Sequence, residues 1–190
     1  AYWTLPTPAL VERSVSRREG VLAHEGAVVV RTGIHTGRSA NDKFIVEDDT
    51  TAGTVNWNKI NRALDPECFE RLHLRMSAYF QGRDVFVQDA TAAAHPDYQL
   101  PIRIITENAW HSLFARNLFI RRNPDELVDH APGFTVIHAP AFRAIPEIDC
   151  TNSDVFIVIN YSQRLVLIGG SSYAGEIKKS IFTILNYLLP

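Results

Sequence analysis

Apolar and polar positions along the chain follow two different periods, which predicts a protein that contains both strands and helices. Apolar residues alternate with polar ones at residues 84–89 and 100–105, as in strands that bury one face. The connection at residues 160–163 is typical of a hairpin between two strands. Short apolar runs predict five further strands, the first of them buried, at residues 27–30, 43–46, 134–137, 155–159 and 165–168.

Other stretches have the apolar spacing and the end signals of helices. Proline in the first turn and glycine at the end mark the first two of them. The predicted helices are residues 7–20, 65–82 and 108–119, and a last helix that begins at Glu176 and runs into Pro190. Helices interspersed with strands indicate an α/β or α+β fold, in which helices flank a mixed sheet. We expect residues 1–190 to form a single domain.

Composition and charge narrow the class of protein. Apolar residues make up 46% of the chain and charged residues 21%, as in an ordinary soluble globular protein. A net charge of −2 gives no reason to expect binding to nucleic acid or to a membrane surface. No apolar run approaches the ~18 residues of a membrane span. Cys68 and Cys150, without a secretory signal, predict a reducing cytoplasmic location and no disulfide.

The stretch from Leu165 to Ser180 is the first candidate site. An apolar run stops at Gly169 and Gly170, a polar turn follows, and an amphipathic helix begins with Lys178-Lys179 in its first turn. Two lysines there oppose the helix macrodipole, which is electrostatically unfavourable. A bound anion, or a metal that takes a neutral amine, would remove this unfavourable interaction. Consecutive helix residues diverge by about 100°, so we expect the two lysines to face different anions. The alternative is a solvated basic turn.

Two glycine-containing loops resemble nucleotide P-loops but depart from the pattern. Gly33 and Gly37 are separated by three residues instead of four and are followed by Arg38, while Glu176 replaces the lysine after Gly175. Neither loop therefore predicts a triphosphate site. Arg38 nevertheless offers a planar fork that suits a carboxylate or phosphate. Because both loops follow a predicted strand, we expect them to line one cleft, with an ordinary surface arginine as the alternative.

Remaining candidate residues carry weaker signals. Tyr173 precedes the last helix, where its phenol either orients a small polar ligand or packs against neighbours. The seven histidines show no metal-ligand spacing, so we expect surface or core roles for most of them. Glu176 is expected to be a first-turn acid that favours the helix, not a catalyst.

Several motifs along the chain point to one family. They are Thr32-Gly33 with Thr36-Gly37-Arg38-Ser39, Asp42-Lys43-Phe44-Ile45-Val46, Ile104-Ile105-Thr106-Glu107 with Ala109-Trp110-His111, Thr151-Asn152-Ser153, and Gly169-Gly170 with Tyr173-Ala174-Gly175-Glu176-Ile177-Lys178-Lys179-Ser180. Together these motifs resemble ATP-dependent phosphoenolpyruvate carboxykinase along essentially the whole chain.

The chain also differs from the family pattern at three places. Ser39-Ala40-Asn41 replaces Ser-Pro-Lys, His35 replaces an aromatic residue, and Cys150 stands where glycine is common.

The resemblance implies a reaction and a role for each candidate residue. Family members convert oxaloacetate and ATP to phosphoenolpyruvate, ADP and CO₂ in gluconeogenesis, with Mn²⁺ and with Mg²⁺ bound to ATP. Arg38 would bind the substrate carboxylate near the CO₂, and Tyr173 would contact the substrate and orient the leaving carboxylate. Lys179 would bind Mn²⁺ as a neutral amine and reach the transferred phosphate, and Lys178 would stabilise charge nearby.

The family enzyme is much longer than 190 residues. The resemblance therefore implies that residues 1–190 are the N-terminal, substrate-side domain, inactive without a C-terminal nucleotide-binding domain that carries the P-loop. An apolar helix face that runs into Pro190 also suggests a truncated chain. Two alternatives remain: a stand-alone module that binds dicarboxylates or other anions through Arg38 and Tyr173, and a structural domain that docks through its last helix.

Overall fold

A mixed β-sheet forms the centre of the computed structural model, which describes residues 1–189. Within that range the strands are β1 Tyr2–Trp3, β2 Gly20–Leu22, β3 Val28–Val30, β4 Lys43–Val46, β5 Arg62–Leu64, β6 Phe86–Ala92, β7 Leu100–Thr106, β8 Ile120–Arg121, β9 Phe134–Ala139, β10 Phe156–Asn160 and β11 Leu165–Gly169. The helices are α1 Thr7–Ser16, α2 Pro66–Tyr79, α3 Ala109–Leu118, α4 Pro124–Val128, α5 Pro146–Asp149 and α6 Gly175–Leu188. Pro190, the end of the predicted last helix, lies outside the described residues.

Nine of these strands form one sheet in the order β1-β6-β7-β9-β11-β10-β4-β5, with β8 also paired to β6. The β6–β7 and β10–β11 pairs are antiparallel, whereas β7–β9, β9–β11 and β10–β4 are parallel. The predicted α/β fold with a mixed sheet and flanking helices is thus confirmed, as is the hairpin between β10 and β11.

The two faces of the sheet pack against different helices because side chains alternate along each strand. On β10, Ile157 and Ile159 join the cluster that includes Ile177, Ile181 and Ile184 of α6. Phe156 and Val158 point to the opposite face, where α2 packs. Helix α6 is therefore held by an apolar stripe, and Lys178 and Lys179 lie beside this stripe at the edge of the core.

Sheet topology brings the two candidate loops to the same edge. Ile157 at the start of β10 pairs with Lys43 on one side and with Ile168 on the other. The beginning of β4 and the end of β11 therefore flank one strand, and the loop before β4 meets the turn after β11. The expected cleft exists, but the Arg38 loop reaches it by leading into β4, not by following β3.

Strand β3 is where the prediction of a buried strand is wrong. Val28–Val30 pairs only with β2 in a separate two-stranded sheet, and Val29 is 51% exposed. A run of β-branched residues favours a strand but does not say whether the main sheet will cover it. Strand β6 is more buried than predicted. Its alternating pattern predicted a half-buried strand, but all of Phe86–Ala92 is buried.

The expectation that the chain contains no disulfide is also wrong. Cys68 of α2 and Cys150, just after α5, are joined by a disulfide with their Cα atoms 6.0 Å apart. Helices α2 and α5 pack together, and Arg75 of α2 pairs with the buried carboxylate of Asp149 beside Cys150. This tertiary contact brings together two cysteines 82 residues apart, which spacing along the chain does not reveal.

None of the helices within residues 1–189 has both the length and the apolar character needed to cross a bilayer.

Candidate functional site

A cavity of about 410 Å³ lies where the Arg38 loop meets the start of α6. Its lining contains all four residues singled out from the sequence, Arg38, Tyr173, Lys178 and Lys179, together with Gly175 and Phe182. The structure thus brings the candidate residues to one place, although their chemical roles stay predictions. Both lysines border this cavity, and Lys178 also borders an apolar groove on the other side that includes Phe119 and Ile181.

Two glycines shape the chain between β11 and α6. Gly170 has a φ of +74°, and a Cβ atom there would lie 2.5 Å from the carbonyl oxygen of Asp154. A Cβ atom on Gly175 would lie 2.4 Å from the ring of Tyr173. These glycines let the chain reverse tightly after β11 and leave space for the Tyr173 ring beside the cavity.

Two buried histidines hold the backbone that precedes Tyr173. Nε2 of His138 is 2.8 Å from the carbonyl oxygen of Ser171, and Nε2 of His111 is 2.9 Å from that of Ser172. Because a carbonyl only accepts, each imidazole donates through Nε2–H. Their rings lie 4.2 Å apart and are fully buried. Sequence reasoning gave these histidines no specific role, since their partners lie 33 and 61 residues away.

Burial keeps both imidazoles neutral. Desolvation lowers the pKa of His138 to about 4, and the hydrogen bond to Ser171 only partly opposes this. The pKa of His111 is lowered well below its ordinary value, first by burial and then by the neighbouring His138. Neutral rings can act as hydrogen-bond donors to the turn without placing charge behind the cavity.

Cations outnumber carboxylates around the cavity. Lys43, at the start of β4, donates from Nζ to Oγ1 of Thr183 at 3.2 Å. Its pKa is lowered, chiefly by burial and then by the positive charges of Lys179 and Arg38. The pKa of the buried Glu176 carboxyl is raised by burial, an effect that Ser39, Arg38 and Lys43 partly offset. An anionic ligand would reduce the repulsion among these cations.

A second cavity, of about 420 Å³, lies between α1, α3 and the β2–β3 hairpin. Its lining is mostly apolar and includes Val11, Val28, Trp110 and Leu113. Size does not distinguish the two cavities, but the cluster of cationic side chains does. The cavity beside Arg38 is therefore the better candidate for a small charged ligand.

The described residues do not fit a self-contained metal centre. Residues 1–189 contain no group of three or more His, Cys, Asp or Glu side chains close enough to share a metal ion. The Lys179 amine would supply one ligand, and its Nζ lies 4.7 Å from the centre of the Phe182 ring. One amine cannot hold Mn²⁺ alone, because metal sites need several ligands.

Comparison with known proteins identifies the family. The family model described as phosphoenolpyruvate carboxykinase matches residues 1–190. The chain belongs to this family. The carboxykinase relationship predicted from the motifs around Arg38 and Lys179 is thus confirmed.

Individual carboxykinases are similar over the whole chain. "Phosphoenolpyruvate carboxykinase (ATP)" of Geotalea uraniireducens (strain Rf4) is 58% identical over 189 residues, which cover 100% of this chain and 36% of that protein. The protein of the same name from Geobacter sp. (strain M21) is 57% identical with the same coverage. That of Thermus thermophilus is 51% identical over 193 residues, again 36% of its length. The chain therefore spans about a third of the length of these relatives.

One departure from the carboxykinase pattern has a conformational explanation. Cys150 has a φ of +60°, in the left-handed region where a side chain is strained and glycine is favoured. The glycine that the resemblance implies at this position would avoid that strain. In this carboxykinase chain the cysteine accepts that backbone conformation and forms the bond to Cys68.

Proposed function

We propose that residues 1–190 form the N-terminal, substrate-side domain of an ATP-dependent phosphoenolpyruvate carboxykinase and supply one part of the site for oxaloacetate or phosphoenolpyruvate. One observation carries the proposal: Arg38, Tyr173, Lys178 and Lys179 line a single cavity. Carboxylates and phosphates are the groups that such a set of guanidinium, phenol and ammonium donors binds best.

The chemistry follows from where these donors lie. The Arg38 guanidinium would hold a substrate carboxylate with two parallel hydrogen bonds, and the Tyr173 hydroxyl would orient the carboxylate that leaves. Breaking the bond between that carboxylate and its neighbouring carbon releases CO₂ and leaves an enolate, whose electron pair resides largely on oxygen. Lys178 and Lys179 would stabilise this oxygen until it receives the γ-phosphoryl group of ATP, which leaves ADP.

We further propose that ATP, and the Mn²⁺ and Mg²⁺ that accompany it, depend on the part of the relatives that this chain does not cover. Lys179 is the residue of this chain that would reach a metal, and residues 1–189 contain no group of three or more His, Cys, Asp or Glu side chains that could hold one without further ligands. On this proposal the chain alone is inactive, and the complete enzyme acts in the cytoplasm with a C-terminal nucleotide-binding domain as its partner.

An oxaloacetate-plus-ATP assay tests the proposal. A complete protein that contains this chain should form phosphoenolpyruvate, and the 190-residue chain should not. Arg38→Ala in the complete protein should raise the KM for oxaloacetate by about tenfold or more, because a bidentate charged contact is lost. Lys59→Ala, which removes an exposed cation outside the cavity, is the matched control. Activity of the chain alone, or an unchanged KM and kcat for Arg38→Ala, would contradict the proposal.

A second candidate is a stand-alone dicarboxylate-binding or anion-binding module. It is favoured by the cluster of cationic side chains around the cavity, which would attract an anion. Calorimetry of the 190-residue chain with oxaloacetate separates the two functions. Clear binding without nucleotide or Mn²⁺ would support the module.

A further inference from the structure

A buried hydrogen bond joins the two halves of the candidate site. The backbone N–H of Ser39 donates to Oε1 of Glu176 at 2.7 Å, across 137 residues of sequence. Ser39 directly follows Arg38, and Glu176 lies in the first turn of α6, three residues before Lys179. The contact thus links the segment that carries the arginine to the helix that carries the lysines.

The Glu176 carboxylate is buried at this link. Only 4% of the residue is exposed, and burying a carboxylate is unfavourable unless hydrogen bonds and cations compensate. Compensation comes from the Ser39 N–H and from the charges of Arg38 and Lys43, while the nearby Asp42 acts in the opposite direction. An acidic side chain in the first turn of a helix is stabilised by the macrodipole even when it is exposed. The macrodipole alone therefore does not explain why the Glu176 carboxylate is buried.

The loop before Ser39 has few other restraints. Within residues 1–189, residues 33–34 form a turn, and no backbone or side-chain hydrogen bond involves residues 36–38. After the loop, one turn of 3₁₀ helix begins at Ala40, and the carbonyl of Asn41 accepts from Asn152 at 2.6 Å. The Ser39–Glu176 bond is therefore the restraint nearest to Arg38, and Arg38 itself is exposed.

We propose that Glu176 is a positioning residue that fixes Arg38 relative to Lys178 and Lys179 by holding the backbone of Ser39; the proposal rests on the proposed function of the cavity. Glu176 does not contact the substrate on this view. Its carboxylate sets the separation between the group that binds the substrate carboxylate and the groups that stabilise the enolate. Loss of the carboxylate should therefore weaken binding through Arg38 alone.

A double-mutant cycle in a complete carboxykinase that contains this chain tests this dependence. Glu176→Ala should raise the KM for oxaloacetate about tenfold, with a smaller change in kcat, because a charge-assisted hydrogen bond is lost. Glu176→Gln keeps an acceptor oxygen and should stay within about threefold of the wild type. In an Arg38→Ala background, Glu176→Ala should add almost nothing. Effects that simply add would overturn the proposal.

Asp149→Ala is the matched control, since Asp149 is also a buried carboxylate that accepts a backbone N–H, from Ile145 at 2.7 Å. Asp149 is absent from the residues that line the cavity. Asp149→Ala should therefore lower the stability of the protein, and its effect on the KM should not depend on whether Arg38 is present. If Glu176→Ala and Asp149→Ala raise the KM equally, the effect is general destabilisation and the proposal fails.

Amide hydrogen exchange on the 190-residue chain provides a readout that does not need activity. Glu176→Ala should accelerate exchange at Ser39, whereas Glu176→Gln and Asp149→Ala should not. Unchanged exchange in Glu176→Ala overturns the positioning role even in an active enzyme. Conversely, an inactive complete protein in which exchange responds as expected contradicts the proposed function and leaves the Ser39–Glu176 restraint supported.

Discussion

Cys68 and Cys150 are covalently joined, and the bond secures the segment that contacts the end of the Arg38 loop. Two residues after Cys150, Nδ2 of Asn152 donates to the carbonyl of Asn41. The Ser153 hydroxyl donates to the Asp42 carboxylate at 2.9 Å. The disulfide therefore connects α2 to the far side of the candidate site.

Breaking this disulfide should lower stability. We expect reduction, or Cys150→Ala, to lower the free energy of unfolding by about 2–4 kcal/mol, because the unfolded chain gains conformations that the bond excluded. Urea denaturation with and without dithiothreitol measures this. Cys150→Gly also removes the bond but relieves the strain of the positive φ, so it should be about 1 kcal/mol more stable than Cys150→Ala. Identical midpoints with and without reductant would contradict the prediction.

The buried histidines should make the protein less stable in acid. The pKa of His138 is about 4 when folded, below its ordinary value of 6.5, so between these values the unfolded state binds a proton that the folded state does not. Its contribution to stability is therefore complete above about pH 6.5 and falls by about 1.4 kcal/mol per pH unit as the pH drops toward 4.

A substitution separates the contribution of His138 to the pH dependence of stability from that of the carboxylates. His138→Gln keeps a donor near the Ser171 carbonyl but does not titrate, so the slope of unfolding free energy between pH 6.5 and 4 should become shallower. The control is His24→Gln, whose side chain is 96% exposed. An equal slope in the His138 variant and the wild type would show that His138 is not held neutral.

Two glycines in the candidate loops should respond differently to alanine. Gly170→Ala should destabilise the protein by about 2–4 kcal/mol, because the φ is positive and the new Cβ atom meets backbone. A Cβ atom on Gly37 would have no other atom within 4 Å, and its φ is not positive, so Gly37→Ala should change stability by less than about 1 kcal/mol. Urea denaturation compares them. Similar losses in both variants would contradict the assignment of the tight turn to Gly170.

Oxaloacetate binding should weaken as salt is added. The cavity is lined by exposed cations, and at 1 M ionic strength the screening length falls to about 3 Å. We expect the KM of the complete enzyme to rise severalfold between about 0.05 M and 0.5 M KCl. Lys178→Gln should reduce this dependence, because Lys178 is the exposed lysine of the pair. A KM independent of salt would mean that charge attraction contributes little to binding.

Local patterns predicted the elements better than the contacts between them. Helix α2 begins where Asp65 was expected to start it, and the Asp65 side chain accepts from the Glu67 N–H at 2.8 Å. Strand β7 alternates as its period required. By contrast, the exposure of β3 depends on which sheet it joins, and that choice is decided by residues far away in the chain.

The candidate site shows the same division. Arg38, Tyr173 and the two lysines were identified from motifs, and one cavity contains them. The contacts behind them were not predicted, since Glu176, expected only as a first-turn acid, contacts Ser39 across 137 positions and His111 contacts Ser172 across 61. Hydrogen bonds between distant segments leave no periodic trace in a single sequence.

Strand β10 acts as a spacer between the two chain segments that lead to the candidate site. Ile157 has Lys43 beside it on one strand and Ile168 beside it on the other. Neighbouring strands lie about 4.8 Å apart, so the chain entering β4 and the chain leaving β11 are separated by about 10 Å. The Ser39–Glu176 hydrogen bond then closes this distance just beyond the strands. The width of one strand therefore sets the starting separation of the two segments, and a single buried carboxylate bridges it.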